Sequence, residues 1–283
     1  MSEVRHWIEQ SGYSEQLGIV ATSVSDTAAN LLLPFREGNS NPGGALHGGV
    51  YASMSVIAAQ AIARTALGAE SGPFQTTGFQ INYLAAAINE SVTASARLLR
   101  RGKELCFIEA TVSSESGRNV SHATLMIRGR QGADAVSGPI VVGTVDGDDP
   151  GKMGPSITGM VPFIHERGIV IEHMADGEAR LFMPWQESHE DNANHGTHEG
   201  AVLALLDTAG AMASWAVTGP GAYKASTPSM QAQLLSVPPR GDLMAYAKVV
   251  HRDNEIFYSD VEVFGVEDRR ICAKGTILYR IVT

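Results

Sequence analysis

Two stretches of the chain are apolar almost all the way round a helical period: VYASMSVIAAQAIA, starting at Val50, and AVLALLDTAGAMASWAV, starting at Ala201. A helix with no polar face is a buried helix. The pattern predicts core helices over about Gly48–Leu67 and Glu199–Thr218. A short strand-like run precedes each, NLLLPF in the first case and RLFMPW in the second. After the first helix come FQINYLAA, SVTASARLL and ELCFIEATVSS, then NVSHATLMIRG beyond the turn ESGRN; VEDRR supplies the matching turn in the second half. Links of hairpin length imply antiparallel pairing. One buried helix per antiparallel sheet predicts a sheet wrapped around its helix, an α+β architecture used twice.

The two halves are copies of one unit. At a constant offset Asn41 matches Asn192, His47 matches His198, Gly49 matches Gly200 and Ala58 matches Ala209. The same offset relates Thr76 to Thr227, Gln80 to Gln231, Leu84 to Leu235, Arg101 to Arg252 and Glu104 to Glu255. Upstream it drops by one, so that LGIV at Leu17 faces RGIV at Arg167. Repeats of this kind mark duplicated structural units. Between them, Gln131 to Gly159 is rich in Gly, Pro, Asp and Ser without an amphipathic period, as expected of a linker over the surface. The expected organisation is residues 1–131, a linker over 132–158, and residues 159–283, with the units packed as a pseudo-twofold pair.

Composition narrows the class only modestly. The chain has 283 residues, 44% hydrophobic and 18% charged, with a net charge of −9. That balance disfavours a generic nucleic-acid surface, which needs clustered Lys and Arg. MSEVRHWIEQ at the start has no apolar signal core. No apolar run is expected to reach the roughly 18 residues that span a bilayer, so no membrane partner is expected. The two cysteines, Cys106 and Cys272, sit in strand-like runs and are expected to be buried, reduced thiols of a cytoplasmic protein. Zinc-ligand spacing and phosphate-binding glycine loops are both missing from the sequence.

The candidate chemistry lies where each helix begins. NPGGALHGGVYASMSVIAA runs from Asn41, and NANHGTHEGAVLALLDTAG runs from Asn192. The second carries Asp207 nine residues after His198; the first has Val56 at that position. An H-G-G segment, an Asn six residues before the His and an acid nine residues after it together resemble the hotdog-fold acyl-CoA thioesterases of the phenylacetate-degradation (PaaI-like) type. The resemblance covers both units and implies a tandem double-hotdog thioesterase. It also implies a Ser or Thr near the acid, matched by Thr227 and, in the other copy, Thr76. For coenzyme A it implies contacts from the segment RRGKELCF, where Arg101 and Lys103 stand, and from Gly49. A solvated hairpin turn would use the same residues.

The residues read alone point the same way. A helix N-terminus offers unpaired N–H groups and a positive dipole end, suited to an oxygen that becomes anionic during acyl transfer. Glycine there permits close approach, although a tight turn into a helix would also use it. His47 and His198 are expected to support the preceding loop. Asp207 lies about 12 Å along the axis from the start of its own helix, too far to serve a carbonyl held there. A neighbouring antiparallel helix would bring it within reach. One composite site then takes Asn41, His47 and the Gly48 N–H from unit one, with Asp207 and Thr227 from unit two. The other takes Asn192, His198 and Glu199, with Val56 supplying no acid. Both departures fall in one site, so one productive site is expected. In it Asp207 would be general base or nucleophile, with no metal or organic cofactor beyond the coenzyme A of the substrate. The alternatives are a non-catalytic acyl-CoA-binding protein and a dehydratase pairing His47 with Asp207. A homo-oligomer of such chains is also expected.

Overall fold

The computed structural model describes residues 2–130, 137–219, 221 and 223–282. Unit one opens with helices α1 (Ser2–Gln10) and α2 (Gly12–Leu17) and strands β1 (Val20–Val24) and β2 (Ala28–Leu33). Helix α3 (Gly48–Leu67) follows, then β3 (Phe74–Tyr83), β4 (Val92–Arg101), β5 (Leu105–Ser114) and β6 (Asn119–Gly129). Unit two repeats the order with α4 (Gly154–Met160), α5 (Pro162–Glu166), β7 (Val170–Ala175) and β8 (Glu178–Met183). A small hairpin, β9 (Glu190–Asp191) with β10 (Gly196–Thr197), leads into α6 (Glu199–Thr218). Strands β11 (Lys224–Leu234), β12 (Leu243–Asp253), β13 (Ile256–Gly265) and β14 (Ile271–Val282) complete it.

The two helix-wrapping sheets are joined into one. The strand order is β1-β2-β4-β5-β6-β3-β11-β14-β13-β12-β8-β7, a palindrome of equivalent strands about the β3–β11 pair. In that pair Gln80 faces Gln231. These are equivalent residues of the repeat, so the pseudo-twofold axis passes between them. Helices α3 and α6 each lie in the concave face of their own half-sheet and pack against each other.

That packing is antiparallel and close. A Cβ on Gly49 would lie 2.7 Å from the Cβ of Ala204, and one on Gly200 would lie 3.1 Å from the Cβ of Ser53. The Ser53 hydroxyl donates to the carbonyl of Gly200 at 3.1 Å. Both helices are in fact long and apolar enough to cross a bilayer, contrary to the expectation from sequence. Here protein takes the place of lipid: 89% of the α3 window and 83% of the α6 window are buried inside the fold.

Three further differences from the sequence reading matter below. Strands β1 and β7 were not anticipated, because each is five or six residues long and only partly buried. The short pairs α1–α2 and α4–α5 were missed as well. Finally, α4 begins at Gly154, inside the segment expected to be linker. Residues 131–136 of that segment lie outside the described residues; further along, Ile140 bridges to Arg270 and Val141 is buried against Phe264 and Ile271.

Candidate active site

His47 caps α3. Its Nδ1 accepts the N–H of Gly49 at 3.0 Å, which fixes the proton on Nε2. The ring is stacked face to face on Phe163, with centroids 4.0 Å apart, and the Arg167 guanidinium lies 3.8 Å from the far face of Phe163. Arg167 is itself anchored by Gly38 O at 2.8 Å and Asn39 Oδ1 at 2.6 Å. Burial, helped by the Arg167 charge, lowers the His47 pKa to about 3. His47 is therefore a neutral, immobilised cap, its ring bonded to the helix that follows rather than to the preceding loop it was expected to support. Phe163 and Arg167 were not foreseen as its backing.

Across the interface α6 delivers Asp207 to the same place. A Cβ on Gly48 would stand 2.7 Å from Asp207 Oδ2 and 3.5 Å from Cζ of Tyr83. The His47 Nδ1 to Asp207 Oδ2 separation is 3.9 Å, and since Nδ1 carries no proton this is a contact without a hydrogen bond. Thr227 donates to Asp207 Oδ1 at 3.0 Å. Oδ2 is left facing Gly48, whose N–H opens α3 with no acceptor among the described residues. Burial raises the Asp207 pKa to about 7, against the smaller lowering effect of the Thr227 bond. These groups border a cavity of about 680 Å³, which Asn41, His47, Gly48, Tyr83, Asp207 and Thr227 all line. The structure thus brings together the five residues expected to carry the chemistry, and adds Tyr83, whose buried hydroxyl has no partner among the described residues.

Gly49, Arg101 and Lys103 are not brought to this cavity. Gly49 faces Ala204, where its missing side chain permits the helix contact. Arg101 and Lys103 belong to the β4–β5 hairpin. Through β6 that hairpin adjoins the Phe74–Thr76 end of β3, which belongs to the other composite site.

That other site is filled. Glu199, 1% exposed, reaches the position where Thr76 waits. Its carboxylate takes the Thr76 N–H at 3.1 Å, the Thr76 hydroxyl, and Gln60 Nε2 at 2.5 Å. Thr76 is the equivalent of Thr227, so an equivalent threonine holds a carboxylate in both halves; both acids lie on α6, which is the core helix of the Thr227 unit and the facing helix for Thr76. Arg64 donates to Gln60 at 3.1 Å, pairs with Asp191 at 3.8 Å, and lies between the rings of Trp7 and Phe74. Trp7 donates to Asp191 at 2.8 Å and stacks near His198. Asn192, the counterpart of Asn41, donates to Gln10 O at 2.6 Å. Helix α1 thereby seals this site. A signal for it was present in the sequence: Gln60 and Arg64 are polar residues four apart on one face of an otherwise apolar helix.

Comparison with known proteins agrees with this architecture. Residues 36–146 match the family of acyl-CoA thioesterase N-terminal domains, and residues 195–272 match the thioesterase superfamily. A Halobacterium salinarum protein assigned as an esterase is 33% identical over 127 residues, which cover 42% of this chain and 80% of that protein. The chain belongs to the thioesterase superfamily. Its fold is the tandem hotdog. A hot dog fold protein of Alicyclobacillus acidocaldarius superposes with a TM-score of 0.67 at 16% identity, covering 98% of each chain. An acyl-CoA thioesterase II of Mycobacterium marinum gives 0.66 at 11% identity, covering 95% of this chain and 96% of that one. This superfamily member is a hydrolase of the thioesterase type, and its two halves are the two hotdog units seen in the sequence repeat.

Proposed function

We propose that this thioesterase hydrolyses acyl-CoA at one productive site of PaaI-like design, built from Asn41, His47 and Gly48 of unit one and Asp207 and Thr227 of unit two. The observation that carries the proposal is the placement of Asp207 Oδ2 against the open N-terminus of α3 across the unit interface. The thioester carbonyl accepts the Gly48 N–H, and the N-terminal end of α3 stabilises the charge that grows on its oxygen. Asn41, which lines the same cavity, orients the thioester or the water.

In the general-base route ionised Asp207 takes a proton from water held with Thr227, and the hydroxide adds to the carbonyl carbon. The C–S bond then breaks and the proton passes to the departing coenzyme A thiolate, leaving the free acid. In the nucleophilic route the carboxylate itself adds and expels the thiolate, giving an anhydride that water opens. A carboxyl titrating near neutral pH suits either, because it is ionised at working pH and still basic. A dehydratase would need a titrating His47. The capped, neutral ring with its low pKa supports the supporting role instead.

The test is release of free thiol from a panel of acyl-CoAs, from acetyl to long-chain and aryl. Enoyl absorbance without thiol would indicate a dehydratase, and saturable binding without either product a binding protein. A single turnover in ¹⁸O-water that labels Asp207 establishes the nucleophilic route, since label enters this carboxyl only when water opens an anhydride at the aspartyl carbon; trapping the anhydride with hydroxylamine covers opening at the acyl carbon.

A further inference from the structure

The cavity beside Asp207 has a mixed, open end and an apolar, closed one. Leu84, Met160 and Tyr223 at its rim are exposed. Ile164, Met174, Ala211 and Met212 at the other end are buried. In the cavity wall the Thr208 and Trp215 donors are already committed, while the hydroxyls of Tyr83 and Tyr279, which feel the Asp207 charge, keep their protons. The Thr208 hydroxyl donates to Ala204 O at 2.7 Å, and Trp215 Nε1 donates to the Tyr279 hydroxyl at 3.0 Å. A hydroxyl or carboxylate on a substrate tail buried past these tyrosines, among Ile164, Met174, Ala211 and Met212, would lose its hydration without gaining a partner. Methionine-rich walls adapt to a flexible hydrocarbon.

The sealed site supplies an internal control for what sets the depth of this space. The repeat pairs Ile157 of α4 with Trp7 of α1, Ala211 with Gln60, and Trp215 with Arg64. The first member of each pair lines the cavity; the second fills the corresponding volume in the other half. Helix α4 therefore stands over the open site as α1 stands over the closed one, and the pair that differs most in bulk is Ile157 against Trp7. Resting on the acyl-CoA reading above, we propose that the acyl subsite takes an unfunctionalised aliphatic chain longer than acetyl, and that Ile157 is the residue that sets how long a chain it admits.

The experiment is kcat/KM across straight-chain acyl-CoAs, with hydroxyaryl and dicarboxylic thioesters beside them, for wild type, Ile157→Trp and Ile157→Ala. In wild type kcat/KM rises by up to about fourfold per buried methylene until the closed end is reached. In Ile157→Trp the decanoyl-to-acetyl ratio falls by at least about tenfold, and in Ile157→Ala the preferred length shifts upward. Thermal unfolding shows that each variant is folded, and if Trp fails to fold, the Ala variant and Ile157→Phe carry the comparison. A ratio unchanged within twofold in the folded variants overturns the role of Ile157. A polar acyl group preferred over all aliphatic ones overturns the substrate class. If no acyl-CoA releases thiol, the hydrolytic reading fails instead. Affinities for alkyl-ketone analogues, with CH₂ in place of sulfur, then test the subsite alone by the same chain-length ratio.

Discussion

Asp207→Asn separates the catalytic cost of this carboxyl from its structural cost. The buried carboxyl has a folded-state pKa of about 7 against a reference of 3.8, with burial as the main cause. The folded state thus holds the proton after the unfolded chain has lost it. For this group stability is greatest below about pH 4 and falls as pH rises to about 7. The rise corresponds to about 4 kcal/mol of destabilisation once the group is fully ionised. Asparagine keeps the shape, and its Oδ1 still accepts the Thr227 hydroxyl, but it never ionises. Unfolding by urea should already show Asp207→Asn the more stable by about 1–2 kcal/mol at pH 5, because the unfolded carboxyl is ionised there while the folded one is not. At pH 8 the variant should be the more stable by about 2–4 kcal/mol. Glu199, also raised to about 7 by burial, is present in both proteins and cancels in the difference. Thiol release should fall by about 10³-fold or more, and wild-type kcat should rise with pH through about 7. A stability difference that does not change between pH 5 and pH 8 would refute the account of an ionised, uncompensated carboxylate. Activity reduced only a few fold would refute its role as base or nucleophile.

Other consequences follow from the same geometry. Gly48→Ala places a Cβ 2.7 Å from Asp207 Oδ2, so the carboxylate must move and kcat should drop by about 10²-fold; steady-state kinetics on a folded variant with wild-type turnover would contradict the close approach. Thr227→Val removes the bond that lowers the Asp207 pKa, so the acid limb of the kcat profile should move up by about one pH unit, and an unmoved limb would show that Thr227 does not act on the carboxylate. Trp7→Ala should cost about 3–5 kcal/mol in urea unfolding, as a buried aromatic that also bonds Asp191 and covers Arg64. Its kcat at a temperature where it is folded should match wild type, and a large loss there would mean that the sealed half takes part in turnover. Cys106→Ser and Cys272→Ser should leave turnover intact, since both thiols are buried, free and shifted upward by burial.

The parts of the fold legible in the sequence are those with strong periodicity or repetition. Helices α3 and α6 begin and end where the apolar runs and bounding glycines place them. The offset matches Gln80 to Gln231, and the strand pairing then puts this pair at the pseudo-twofold axis. The cross-unit approach of Asp207 to Gly48 followed from helix rise taken together with the expected pseudo-twofold pairing and the family resemblance. Elements with weak local signals were not legible. Helices α1, α2, α4 and α5 are five to nine residues long, and their stability comes from what they cover. With them went Trp7, Ile157, Phe163 and Arg167, whose contacts are tertiary. The assignment of Arg101 and Lys103 to coenzyme A met a similar limit, because a hairpin adjoins one site or the other only once the strand order is known.

The sequence also made Val56 and Glu199 look like two losses in one site, whereas the structure shows one exchange. In both halves a threonine that follows the core helix binds a carboxylate at the helix–helix interface. In the open half the acid comes from the middle of the facing helix and leaves the helix start bare. In the sealed half the acid comes from the helix start itself and occupies it. The energetic consequences are opposite. Among the described residues Asp207 is buried with a single hydrogen bond and no cation beside it, a state that suits the reactive role proposed for it. Glu199 is bonded by Thr76 and Gln60, and Gln60 is in turn tied through Arg64 to Asp191 and Trp7. A dimer of identical units would carry the cost of an unpaired buried acid at both sites, or at neither. Covalent duplication lets one interface hold both arrangements, so that a half whose carboxylate is well bonded secures the same pair of helices on which the other half keeps its carboxylate poorly solvated and available.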